Sequence, residues 1–124
     1  MAEITTEVDK DADLTVIRIQ GDLQSGQLKD FMAEYYEQGP TRLIIMDFSE
    51  GHWPKVTMDS YIEASQDAQR YSRPGGRTAL VFASQGDFGI GRLLETYFGL
   101  SATQTEMNCF MDLIEAREWI LSAD

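Results

Sequence analysis

Two short, predominantly apolar runs, RLIIMDF at 42–48 and RTALVFA at 77–83, constrain this chain more than any other feature. Each is too short for a buried helix and is bounded by turn-forming residues. A strand without polar alternation is buried on both faces, which calls for a parallel sheet with helices packed above and below it. The rest of the sequence supplies those helices. Leu28, Phe31, Met32, Tyr35 and Tyr36 recur at i, i+3, i+4, i+7 and i+8, one apolar face of a helix that QGP at 38–40 ends. A second helix is expected from about Asp59 to Tyr71, stopped by SRPGG. The stretch SQGDFG leads into a third, with Ile90, Leu93, Leu94, Tyr97 and Phe98 on one face. A fourth carries Leu113, Ala116, Trp119 and Ile120 inward, and Asp112 stands where it can cap that helix.

EITTEV at 3–8 and LTVIRIQ at 14–20 read as strands joined by DKDAD, an antiparallel hairpin. MNCFM at 107–111 is a last short strand. SEGHWPK is read as a loop, because Gly51 and Pro54 do not suit a regular interior strand. The expected order is ββαβαβαβα: an α/β fold with one mixed, mostly parallel sheet, four helices and right-handed crossovers. With no repeat, linker or low-complexity segment, 124 residues are expected to make one domain, 1–124.

Charge narrows the function classes. Ten basic side chains against 21 acidic ones leave a net charge of −11. Such a surface repels phosphate backbones and anionic headgroups, so neither a nucleic acid nor a membrane surface is an expected partner. No apolar run approaches the roughly 18–20 residues that span a bilayer. The acidic, alternating N-terminus is no signal peptide, and Cys109 has no second cysteine to pair with. A cytoplasmic protein is expected, with Cys109 as a small buried hydrophobe.

Catalytic and metal chemistry find little material. One histidine, His52, and one cysteine lie on different elements, so no metal site is expected, nor any cofactor. A Ser-His-Asp triad would have to use His52, and there is no G-x-S-x-G elbow. GDFGIGR, with glycines at 86, 89 and 91, suggests a phosphate cradle, with Arg92 as the charged partner. Its spacing is not that of a dinucleotide fingerprint, and it lacks G-K-[ST]. A structural role serves equally well, with Gly89 and Gly91 letting a helix approach the sheet. In GHWP, Trp53 is either a binding anchor or a lid folded over the sheet edge. Phe31, Tyr35, Tyr61, Tyr97 and Phe98 either fill the core or line a cavity for a hydrophobic ligand. Ser60 begins S-x-x-E: it can cap the second helix through the amide of Glu63, a contribution of about 1 kcal/mol, beside Asp59 at the positive helix end. A phosphate there would add about −1.5 to −2 charges at the same point.

The segments GDL, EQGPTRLIIMDFS, VTMDS, GGRTALVF, RLLETYFGL and EAREWI, in this order from about Leu14 to Leu121, resemble the STAS domains (sulfate transporter and anti-sigma factor antagonist). The resemblance implies a β/α fold of the SpoIIAA-like type and a non-enzymatic regulatory module. Its bacterial regulators bind an anti-sigma kinase and are phosphorylated on a serine after an aspartate; the matching position is Ser60, after Asp59. His52, Trp53 and Tyr61 would then meet the protein partner. Tyr61 and Ile62 replace the small pair that the family carries after the serine. DFGIGRLLE resembles a SpoIIAA-like subgroup related in fold to the CRAL-TRIO lipid-transfer domains. That likeness implies a small hydrophobic ligand as the alternative partner, in contact with Phe88, Gly89, Arg92 and Tyr97. The mix of buried and exposed aromatics allows a homodimer without requiring one.

Overall fold

A computed structural model of the chain describes residues 1–24, 26–52, 73, 75–86, 88, 89, 92 and 105–122. They form a five-stranded sheet in the order β1-β2-β3-β4-β5, with β1 Glu3–Asp9, β2 Leu14–Asp22, β3 Leu43–His52, β4 Arg77–Val81 and β5 Glu106–Phe110. β1 and β2 are the expected antiparallel hairpin, and every later pair is parallel. Two helices lie within the described residues, α1 Gln27–Glu37 and α2 Leu113–Ile120. The helices expected at 59–71 and 90–98 fall outside them, apart from Arg92.

The pleat divides the strand residues between two cores. Ile17, Ile19, Ile44, Met46, Phe48, Leu80, Phe82 and Cys109 face the side covered by Leu28, Phe31, Met32, Tyr35 and Tyr36 of α1. Leu14, Val16, Leu43, Ile45, Ala79 and Val81 face Ala116 and Ile120 of α2. Strands buried on both faces therefore need no alternation, as the apolar runs require. Phe48 and Phe82, both buried, stack at 5.4 Å in the first core.

Polar groups inside this frame are paired. Thr15 is fully buried, and its hydroxyl belongs to a short relay. Tyr35 Oη donates to Thr15 Oγ1 (2.8 Å), Thr15 Oγ1 lies 2.8 Å from Thr41 Oγ1, and Thr41 Oγ1 donates to the Leu43 carbonyl (2.7 Å). With Thr15 as donor in the middle contact, each hydroxyl donates once, which offsets the cost of burial. Tyr35 is thus a fastening between α1 and β2.

Local signals set both helices. α1 stops where the chain turns left-handed at Gly39 (φ 94°). α2 starts at Asp112, whose carboxylate accepts from the Ile114 amide at 2.8 Å. Asp112→Ala is expected to cost about 1 kcal/mol, read as a lowered urea midpoint with an unchanged slope.

Three details depart from the sequence reading. β3 does not end at Phe48 but continues to His52 through the segment read as a loop. The register explains how. Arg18 pairs with Asp47 and Gln20 with Glu50, so β3 advances three residues while β2 advances two. That bulge bends the strand, and Gly51 then passes so close to β2 that a Cβ there would lie 2.9 Å from Ile19 Cγ2 and 3.0 Å from the Ile19 carbonyl oxygen. Glycine is what lets pairing continue. Second, helical structure begins at Gln85, ahead of the expected Ile90, and the Phe88 amide donates to the Ser84 carbonyl at 2.9 Å. Third, Gly89 does not serve close helix–sheet packing: a Cβ there meets nothing within 4 Å, and the same holds for Gly86.

Candidate functional site

In an open parallel sheet, function gathers at the carboxyl ends of the strands, where the connections leave the frame. Here that edge comprises the bulged end of β3, residues 82–86, 88 and 89 after β4, and Met111 and Asp112 after β5. Its floor is apolar, built by the Phe48–Phe82 stack with half-buried Phe88 packed on the same core. The Phe82 amide donates to the Phe110 carbonyl at 2.9 Å, tying the ends of β4 and β5 together.

The bulge holds a small polar constellation. Asp47, only 4% exposed, accepts from the Ser49 amide (2.9 Å) and the Ser49 hydroxyl (2.6 Å) through Oδ1. Its Oδ2 lies 3.7 Å from Arg18 Nε. One residue beyond, Gln20 Nε2 donates to Glu50 Oε2 at 2.5 Å across the same strands. With both Ser49 donors on one oxygen and a guanidinium before the other, Asp47 is committed to holding the bend, and its geometry is that of a fastening and not of a general base. The signal for it is visible in the sequence: a carboxylate inside an otherwise apolar run needs partners wherever it lands.

A second buried polar centre lies at the opposite edge, where α1 ends and β3, β4 and β5 begin. Arg73 is 8% exposed. Its Nε and Nη2 donate to the Arg42 carbonyl (3.3 and 3.1 Å). Nη2 also reaches the Arg77 carbonyl (3.1 Å) and Thr78 Oγ1 (3.0 Å), and Nη1 donates to Tyr36 Oη (2.5 Å). Its backbone is clasped by Thr105, whose hydroxyl accepts from the Arg73 amide (2.6 Å) and donates to the Arg73 carbonyl (3.0 Å). Among the described residues all these partners are neutral. Arg73 therefore works as a cationic pin through four separate segments. The sequence reading missed it, because SRPGG looks like any helix stop.

Of the residues singled out from sequence, His52 closes β3, its backbone paired with that of Asp22. Phe88 and Gly89 lie in the helical segment after β4, Phe88 half-buried and Gly89 exposed, and Arg92 is exposed. Trp53, Asp59, Ser60, Tyr61 and Tyr97 lie outside the described residues. Phe98 lies outside them as well, so of the aromatic cluster expected to fill a core or line a cavity only Phe31 and Tyr35 are described, and both pack against the sheet core. Cys109 is buried in that core. Among the described residues no group of three or more His, Cys, Asp or Glu could hold a metal ion, and no helix is long and apolar enough to cross a membrane.

No protein-family model matches the chain, and no curated protein matches it. Solved structures do. An uncharacterized protein of the DUF3478 family from Shewanella loihica PV-4, with a SpoIIAA-like fold, superposes with a TM-score of 0.63 at 14% identity, over 96% of this chain and 93% of its own. The anti-sigma factor antagonist SpoIIAA in its unphosphorylated form superposes with a TM-score of 0.58 at 19% identity, over 98% of this chain and 100% of its own. The chain has a SpoIIAA-like, STAS-type fold.

Proposed function

We propose that residues 1–124 form one STAS-like regulatory domain that works by binding a protein, in the manner of an anti-sigma factor antagonist, and carries out no reaction of its own. The observation that carries this reading is the end-to-end likeness to an anti-sigma factor antagonist, 98% of one chain on 100% of the other. The sequence adds an Asp-Ser pair, Asp59-Ser60, just ahead of an amphipathic pattern that begins S-x-x-E. The polar groups described at the carboxyl edge serve to hold the strands, which suits a surface that is read by a partner.

In this reading Ser60 is the switch. Unmodified, it begins an S-x-x-E pattern suited to capping a helix. Phosphorylated by a kinase of the anti-sigma type, it gains about −1.5 to −2 charges next to Asp59, and a partner that fits the neutral surface is expelled by repulsion and desolvation. Trp53, with His52 and Tyr61, supplies the aromatic anchor of the interface. The protein acts in the cytoplasm, where such a kinase and its nucleotide are found.

The test uses the full chain recovered from its native host. Intact-mass and peptide mass spectrometry are expected to find a phosphate on the peptide containing Ser60, and Ser60→Ala is expected to abolish it. A protein captured by the wild type should be lost with Ser60→Asp and with Trp53→Ala. Labelling that persists in Ser60→Ala, or capture unchanged in both other variants, overturns the reading.

A further inference from the structure

β1 carries an inference independent of the Asp59–Ser60 reading. It is the outermost strand of the sheet, and its seven residues pair with β2 in unbroken register from Glu3–Gln20 to Asp9–Leu14. The main-chain groups on the other side of such a strand are a template for a further strand. Proteins blunt these edges with proline, lysine or a bulge. EITTEVD has none of the three, and six of its seven residues are exposed, Ile4 being half-buried. Its side chains alternate by chemistry. Glu3, Thr5, Glu7 and Asp9 share one face of the sheet, where Thr5 and Glu7 lie beside Arg18 and Val16 along a shallow groove. Ile4, Thr6 and Val8 share the other, and Val8 is 52% exposed.

We propose that the β1 edge docks an extended cationic segment of a protein partner, added to the sheet as a further strand. Lysine or arginine at alternate positions meets Glu3, Glu7 and Asp9, and β-branched or apolar residues between them lie along Ile4, Thr6 and Val8. Main-chain hydrogen bonds supply the binding and the two alternating rows supply the selection. Charge excludes a second copy of this chain. Antiparallel self-pairing centred on Thr6 sets Glu3 opposite Asp9 twice, and a shift by one residue toward Thr5 sets Glu3 opposite Glu7. Like charges directly opposed destabilise a pair, and each chain already carries −11. The acidity that protects this edge from its own kind is what a basic strand would read.

The experiment titrates the isotope-labelled full chain with a blocked seven-residue peptide of alternating lysine and valine. A second peptide is identical but N-methylated at alternate amides, and a third replaces lysine with glutamate. Expected are amide shifts and slowed hydrogen exchange confined to β1 for the first peptide, binding weaker by about tenfold or more for the methylated one, and none for the acidic one. The variant carrying Glu3→Lys, Glu7→Lys and Asp9→Lys, all at exposed positions, should reverse the preference between basic and acidic peptides. Equal binding of the methylated peptide, or shifts spread over the acidic surface, would mean diffuse charge attraction and overturn the proposal. So would the absence of any β1 shift at millimolar peptide, or β1 shifts that grow with protein concentration alone, the mark of a second copy.

Discussion

Replacing Arg73 with methionine is expected to remove about 3–5 kcal/mol of stability, from the loss of several charge-assisted hydrogen bonds worth about 1.5–3 kcal/mol each, only partly additive. Methionine keeps most of the aliphatic stem but none of the donors. The Arg42 and Arg77 carbonyls, Thr78 Oγ1 and Tyr36 Oη, which now accept from one guanidinium, would each lose a bond at a site 8% exposed. The ring of Tyr36, with Arg73 Cζ 5.9 Å from its centroid, loses its cation as well. For a domain whose total stability is about 5–15 kcal/mol, that is a large share. Arg73→Lys should recover less than half, because an ammonium cannot reproduce the planar fork that reaches α1, β3 and β4 together. Equilibrium urea unfolding measures both, and a loss below about 1 kcal/mol for the methionine variant would show that the pin is dispensable.

Gly51→Val is expected to cost about 3 kcal/mol, at the upper end for an overpacked interior site. The first added carbon alone would lie 2.9 Å from Ile19 Cγ2, which a side chain could relieve, and 3.0 Å from the Ile19 carbonyl oxygen, which only backbone movement could relieve. Moving that backbone disturbs Ile19, fully buried, and the bulge beside it. The contrast is Gly89→Ala. That position is helical and its new carbon meets nothing within 4 Å, so alanine should be neutral or stabilising by up to about 1 kcal/mol. If both substitutions prove neutral by thermal or urea unfolding, close passage of β3 along β2 does not hold in solution. β3 ends at His52, next to Trp53 in the chain, so the Gly51 variant also tests whether partner capture depends on how that strand end is held.

What could be read in advance was local. The runs at 42–48 and 77–83 announced strands buried twice over, because a residue's own hydrophobicity and a period of two are properties of consecutive positions. The apolar spacing of Leu28 to Tyr36, the stop at Gly39 and the cap at Asp112 were legible for the same reason. Gly89 of GDFGIGR was legible as part of a motif yet misleading as architecture, since whether a glycine is needed depends on what stands opposite it; Gly91 lies outside the described residues.

At the candidate site the balance is reversed. The Asp-Ser pair and the Trp53 loop come from sequence alone, and so does the need of Asp47 for partners, whereas which partners it finds, the bulge and Gly51's passage along Ile19 came only from the packed strands. Arg73 marks the limit most clearly. Its neighbours Tyr36, Arg42 and Thr105 lie 37, 31 and 32 positions away, so no window of sequence contains the pin and its sockets together. Among the described residues, sequence by itself determined the apolar strand cores and both helices and which faces they bury, because those follow from short-range periodicity and solvent aversion. Tertiary structure alone decided where a strand bends, which glycine is obligatory and which charge can live inside, because each depends on a carbonyl or side chain that the fold brings from a distant part of the chain.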